Sequence, residues 1–397
     1  MVKKIIFGLF VWKILVSFLA LPAVFFLPLN KGFIPSVSFR VNIPYIIWIW
    51  GNFDGVHYME IARNGYHNFQ FGFFPLYPFV IQLINSGRDY GFFFPYLFIG
   101  QVISILCFFL SLFVMTKLLE LDGKKRIVNI FLLSIFLFPT SFFLGSVYND
   151  SLFLFLATTC LYFARKNKWF LSGIIGGLAT LTRLNGLALF FFVLIEYIES
   201  FRNETNSKSF GQIPKFLYGL LKKSFSLKEI LNKRIWSIFF IPGAFALYLS
   251  FVNNTYGNWN FVFSSMSIWK QDKTTFPLQV FWRYFKIIFL HPTLQINYWV
   301  ALAELFFVFF YIFLLIFLFK KIRFSYLLFF ALSIVIPSLT GTFAGMPRYG
   351  LHLYPFFLGI AILLYGKGKI YKILYFTISI TLMIFCISLF TRGYFIA

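Results

Sequence analysis

The sequence predicts an all-α polytopic membrane protein, and three observations carry that prediction. Of 397 residues, 60% are hydrophobic and only 12% charged, where a soluble domain keeps roughly a quarter charged. The apolar residues fall into runs near the length of a helix crossing the hydrocarbon core, about 20 residues. The basic residues collect in alternate gaps between those runs, the pattern of cytoplasmic loops. Phe occurs 63 times; a compositional bias that writes Phe for Leu accounts for this, so it carries no functional weight.

Eleven candidate spans follow in order: 5–28, 92–118, 127–145, 150–165, 169–183, 185–200, 236–252, 297–319, 324–343, 350–366 and 370–390. The first follows Lys3 and Lys4 and lacks a small-x-small cleavage site, so it reads as a retained span and not a signal peptide. The run FFPLYPFVIQLI at 73–84 is short and carries two prolines, which predicts a surface or re-entrant helix. Several later runs are also short, and such segments tilt, thin the bilayer or break inside a protein-lined cavity.

The net charge of +23 does not indicate nucleic acid once the basic residues are placed. Lys3 and Lys4, Lys117 with 124–126, 165–168, the eight basics from Arg202 to Arg234, 320–323, and Lys367, Lys369 and Lys372 fall on one side, 23 of the 35 Lys and Arg. The positive-inside rule makes that side cytoplasmic, with the N-terminus inside and, in a prokaryote, the plasma membrane as location. Counting 73–84 as a span would invert every later loop. The chain reads as one domain, 1–397, with a first outer loop about 29–91, a basic cytoplasmic loop about 201–235 and an outer loop about 253–296. Cys107, Cys160 and Cys386 lie in apolar runs without paired spacing and imply neither disulfides nor a thiolate metal site.

In this topology five polar islands meet on the non-cytoplasmic face: Asn52 to His67, SVYND at 146–150, TRLNG at 182–186, the loop 253–296 and GMPRYG at 345–350. Polar outer loops alone would give the same pattern, so the residues within them have to decide. Asp54 sits among Trp48, Trp50 and Phe53, whose rings would partly desolvate it, as suits a general base. A short interfacial helix over 56–64 puts His57, Ile61 and Asn64 on one face, with Glu60 and Arg63 nearby. Asp150, beside Tyr148 and Asn149, is a second carboxylate that a helix N-cap would equally explain. Arg183 and Arg348 border hydrocarbon, where an arginine is costly and has a partner, and guanidinium matches a phosphate oxygen pair. The candidate set is Asp54 and Asp150 as acids, with His57, Tyr58, Arg63, Tyr148, Arg183, Asn185, Arg348 and Tyr349 around substrate. Glu304 is the one acidic residue well within a candidate span, so a proton relay has little support. No P-loop, GxGxxG or zinc spacing is present.

The stretch WGNFDGVHYMEIARNGYHNFQFGFFPLYP resembles the first outer loop of the GPI mannosyltransferase 2 type enzymes (PIG-V; glycosyltransferase family 76) and their prokaryotic relatives. There an Asp is followed by Tyr, Ile-Ala, Gly-Tyr and FFP-x-x-P. FPTSFFLGSVYNDSLFLFL, LSGIIGGLATLTRLNGLALF and PRYGLHLYPFF agree in the same order, over about 45–200 and 340–360. The resemblance implies a GT-C-type bundle of about 11 transmembrane helices with interfacial helices in the first outer loop. It also implies sugar transfer from a polyprenyl phosphate donor on the non-cytoplasmic face to a glycan or glycolipid acceptor, with mannose as the family's sugar. By the same resemblance Asp54 is the catalytic acid and Asp150 stands at a second acidic position. The chain departs in having Phe53 where the family has Trp or Tyr, and Asp150 where it has Glu.

No cofactor is called for. Asp54, His57 and Asp150 could hold a divalent metal, yet the His-x-x-x-His spacing is missing. A lipid-linked saccharide flippase or an accessory membrane subunit remain as rival readings. The first would show internal inverted repeats, of which the sequence has no convincing trace; the second would leave Asp54 dispensable.

Overall fold

Helices build the whole architecture, and no strand occurs among the described residues of this computed structural model, namely 1–30, 43–67, 69–86, 93–203, 235–269, 271, 273–290 and 295–396. In chain order the principal helices are α1 (Val2–Ala20), α2 (Asp54–Asn64), α3 (Leu76–Ile84), α4 (Phe94–Leu121), α5 (Val128–Phe136), α6 (Asp150–Arg165), α7 (Trp169–Thr180) and α8 (Ala188–Asn203). They continue with α9 (Phe240–Tyr256), α10 (Pro277–Phe285), α11 (Ile296–Leu318), α12 (Phe324–Ser338), α13 (Met346–Tyr349), α14 (Tyr354–Tyr365) and α15 (Lys369–Thr391).

The expected eleven spans resolve differently from a set of eleven uniform rods. Five segments are long and apolar enough to cross a bilayer: Val2–Phe26, Phe94–Leu121, Ile235–Tyr256, Tyr298–Leu318 and Lys369–Thr391. The other six runs are also helical but shorter. The run 127–145 is broken: α5 has nine residues, Pro139 follows, and the chain resumes as a 3-10 turn at Ser141–Gly145. Proline cannot continue the backbone ladder, and the freed groups find partners in the interior, where non-helical backbone at membrane depth is tolerated. Ser141 accepts a hydrogen bond from the Trp12 indole at 3.1 Å and donates to the Phe136 carbonyl at 2.9 Å. The 73–84 run forms only the nine-residue α3, too short to span. Its Tyr77 and Ile81 are buried while Phe79, Leu83 and Ile84 are exposed.

Small residues let the middle helices approach closely. On α7, a Cβ at Gly173 would lie 1.9 Å from the Ser237 carbonyl oxygen, and one at Gly177 2.8 Å from that of Phe240. That face is therefore restricted to glycine, the device by which membrane helices gain van der Waals contact. It seats α9 against α7.

Charged residues between the helices form a second, separate network. Arg165 at the end of α6 pairs with Asp122 and, at 3.6 Å, with Glu196; Arg323 reaches Glu196 at 2.8 Å and also pairs with Glu199. Tyr354 donates to Asp122 at 2.8 Å. Asp122 and Arg323 come from loops read as cytoplasmic, Arg165, Glu196 and Glu199 from the ends of spans next to such loops, and Tyr354 reaches them from α14. The basic loop about 201–235 lies almost wholly outside the described residues, as do 31–42 and 87–92 of the first outer loop.

Candidate active site

Asp54 is the first residue of α2, and the residue before it, Phe53, has φ +54°. Positive φ in a bulky residue is strained and persists only where its surroundings enforce it. Here the Phe53 ring is packed on Phe390 and Phe395. Gly55 follows because a Cβ there would meet the Val147 carbonyl oxygen at 3.2 Å. The consequence is a carboxylate turned toward a cavity of about 410 Å³ lined by Asp54, Tyr58, Arg183, Asn185, Arg348 and Tyr349 together with Phe73, Trp269, Ile336 and Leu339. Such a volume suits a small polar head group.

Arg348 crosses the floor of this cavity. Its Nη1 donates to Asp54 Oδ2 at 3.0 Å, its Nε lies 3.4 Å from Asp150 Oδ1, and its guanidinium sits 5.2 Å from the centres of both the Phe143 and Tyr148 rings. Burial opposes its charge, but Asp150 and Asp54 outweigh burial and raise its pKa above the ordinary arginine value. Arg183 lies beside it, donating to Asp150 Oδ1 at 3.0 Å and to Asn149 Oδ1 at 3.3 Å, over the Tyr349 ring at 5.1 Å.

Asp150 differs in kind from Asp54. It is fully buried, absent from the cavity lining, and its Oδ1 takes contacts from both arginines and from His352 Nε2 at 2.5 Å. His352 Nε2 is also 3.0 Å from Arg183 Nη1. One ring nitrogen cannot donate to the carboxylate and accept from the guanidinium at once, so the proton is assigned to the shorter contact, with Asp150. The N-cap alternative does not hold: neither Asn149 nor Asp150 makes a side-chain cap bond, and Asn149 donates instead to the Thr182 carbonyl at 2.5 Å.

Four predicted residues lie off the chemistry or serve to hold it. Tyr148 is buried, bonding the Asn52 carbonyl at 2.9 Å beneath Arg348. His57 is boxed by Phe69, Phe73 and Trp269, is not in the cavity lining, and has its pKa lowered by burial against the opposing pull of Asp54 and Glu60. Its surroundings are rings, and it does not face the cavity. Arg63 lies in the last turn of α2, 5.1 Å over the Phe93 ring, outside the lining. Asn185 lines the cavity and donates to the Ser333 carbonyl at 3.1 Å. The loop TRLNG is held by Gly186, where a Cβ would fall 2.4 Å from Thr180 Cα.

Two participants escaped the sequence reading. His352 stands four residues after Arg348, a helical spacing that puts both on one side, yet it opens an apolar run that reads as a span. Asn149 reads only as a cap. Among the described residues no three His, Cys, Asp or Glu side chains converge as a metal-binding group; Asp54 and Asp150 are bridged by a guanidinium, and His57 faces rings.

The mannosyltransferase (PIG-V) family matches residues 6–228, more than half of the chain. The chain belongs to that family. That family is described as a mannosyltransferase family. The matched segment holds Asp54, Asp150 and Arg183; Arg348 and His352 lie beyond it and join the site only through the fold. No curated protein matches the chain. Two solved structures of the Archaeoglobus fulgidus oligosaccharyltransferase are similar in shape. One is AglB with an inhibitory peptide and a dolichol-phosphate, at 12% identity over 98% of this chain and 56% of that one, TM-score 0.41. The other is the enzyme tethered to an acceptor peptide containing the NVT sequon, at 13% identity over 97% and 55%, TM-score 0.40. The chain spans just over half the length of these enzymes.

Proposed function

We propose that this cavity moves a sugar, mannose by family habit, from a polyprenyl-phosphate-linked donor to a hydroxyl of a glycan or glycolipid acceptor, on the non-cytoplasmic face and with inversion. The observation that carries the reading is the pairing of Asp54 with Arg348 in the wall of a cavity that a second guanidinium, Arg183, also lines. Two roles are thereby supplied side by side. The guanidinium groups match the phosphate of the donor, and the carboxylate is the base for the acceptor.

Before donor binds, Asp54 is engaged by Arg348. A donor phosphate competes for that guanidinium and loosens its hold on Asp54, whose oxygen then accepts the proton of the acceptor hydroxyl. The acceptor oxygen forms its bond to the anomeric carbon as the bond from that carbon to the phosphate oxygen breaks, and the negative charge stays on the lipid phosphate beside Arg183 and Arg348. Asp150 touches no substrate in this scheme. It is a positioning residue, holding both arginines at fixed spacing with the help of His352. The apolar part of the lining, including Phe263, Ile336 and Leu339, gives the first isoprene units a surface to lie on.

Membranes carrying the wild-type chain should transfer label from a polyprenyl-phosphate-linked [14C]mannose donor to a lipid or glycan acceptor. Membranes carrying Asp54→Asn at equal protein level should not. Label transfer surviving in the variant removes Asp54 as the base.

A further inference from the structure

Glu304 is a carboxylate inside a membrane-crossing helix, 5% exposed, and the reaction above makes no use of it. A buried acid in hydrocarbon is costly and is retained where it holds something. On one side it accepts the hydroxyl proton of Tyr284 from α10; on another it faces the backbone of Gly345. The same Tyr284 oxygen accepts the amide of Phe343 at 3.1 Å. Two turns further along α11, on the same face, Tyr311 donates to the Met346 carbonyl at 2.6 Å and accepts the Gly350 amide at 3.0 Å. From α5's broken continuation Thr140 donates to the Pro347 carbonyl at 2.9 Å.

All these bonds converge on one short segment. Residues 342–350 begin after Gly341 and contain Gly345, both with φ +85°, so the chain turns at both glycines before it enters the four-residue helix α13. Arg348 hangs from this path. Tyr284 and Tyr311 bond the segment before and after Arg348, Glu304 holds Tyr284, and Thr140 bonds the residue next to it.

We propose that Glu304, Tyr284 and Tyr311 form a rack that sets the height and angle of Arg348 for the donor phosphate, and that Glu304 is a positioning residue of the transfer reaction. Its chemistry explains the choice of a carboxylate. Its two carboxyl oxygens can accept from the Tyr284 hydroxyl on one side while an oxygen still faces the Gly345 backbone on the other, whereas Gln turns one end into an NH2 donor. The inference rests on Arg348 as a phosphate-binding cation.

The test uses dodecyl phosphate as a non-transferable probe, titrated against the purified full-length chain in nanodiscs. Glu304→Gln should weaken binding about tenfold, and Tyr311→Phe, which keeps the ring, should weaken it several-fold. In an Arg348→Gln background the further change Glu304→Gln should cost less than about twofold, because the two act through one group. Wild-type affinity in both Glu304→Gln and Tyr311→Phe overturns the rack, as does a tenfold loss that persists without Arg348. Should the wild-type chain fail to bind dodecyl phosphate while Glu304→Gln is well folded, the phosphate reading itself falls and the rack falls with it.

Discussion

At the residue scale, two carboxylates that look equivalent in sequence have been given opposite environments. Asp54 is a quarter exposed to the cavity and bonded once, to Arg348; Asp150 is sealed and surrounded by two guanidinium groups and an imidazole. The contrast predicts different lesions. Asp150→Asn removes the charge that holds Arg183 and Arg348 together, leaving both buried cations short of a partner, which costs about 3–5 kcal/mol. It should show as lost thermal stability together with lost activity. Arg183→Lys keeps charge but not the planar fork, so initial rates should reveal a donor KM raised about tenfold with acceptor KM unchanged. His57 gives a pH signature. Its folded pKa lies below the ordinary 6.5, so the unfolded chain binds more protons as pH falls, and stability present above pH 6.5 should decline below it. Thermal unfolding at pH 7.5 and 5.5 should show this drop, and His57→Gln should reduce it. Asp54, Arg183 and Arg348 were legible in the sequence because charge beside hydrocarbon demands a reason. His352 was not, because one imidazole at the head of LHLYPFFLGIAILL does not disturb an apolar run.

At the element scale, short and broken helices are what open the bundle into a site. The break after α5 frees Thr140 and the turn at 141–145 to reach across to the Arg348 segment and the first helix. The two left-handed glycines at 341 and 345 do the same for the opposite wall. The break at Pro139 falls inside 127–145, counted above as one span although proline ends a helix, whereas the two prolines of 73–84 marked a non-spanning helix, as α3 is. The contacts between elements could not be read: nothing in sequence couples Glu304 to Tyr284 or Gly345. Packing through α7 gives the test at this scale. Gly173→Ala pushes a methyl into the Ser237 carbonyl, an overpacking that should cost about 1–3 kcal/mol, read as a lower midpoint of thermal unfolding in detergent.

At the scale of the whole molecule, the charge asymmetry assigns the site a side of the membrane that labelling can test. Asp54, Asp150, Arg183 and Arg348 come from segments that the basic residues assign to one face; Asp54, Arg183 and Arg348 line one cavity, and Asp150 lies behind the two arginines. Arg165, Glu196 and Arg323 come from segments assigned to the other and form their own network. The topology predicts a labelling pattern in intact cells. With Cys107, Cys160 and Cys386 replaced by serine, a cysteine at Lys273 should react with an impermeant maleimide from outside, and one at Lys166 or Lys321 only after permeabilisation. The reverse pattern would put the cavity in the cytosol and exclude a donor presented from the outer leaflet.

The central claim is that Asp54 takes a proton while Arg348, its resting partner, takes the phosphate. Removing the Asp54 charge should therefore separate binding from turnover, and both can be measured on the purified chain with a polyprenyl-phosphate mannose donor. The account predicts that Asp54→Asn binds donor at least as tightly as wild type, since Arg348 no longer has to be released, while turnover falls by a factor of about 10²–10⁴. A variant that turns over within tenfold of wild type, or one that loses donor binding in step with turnover, would contradict it.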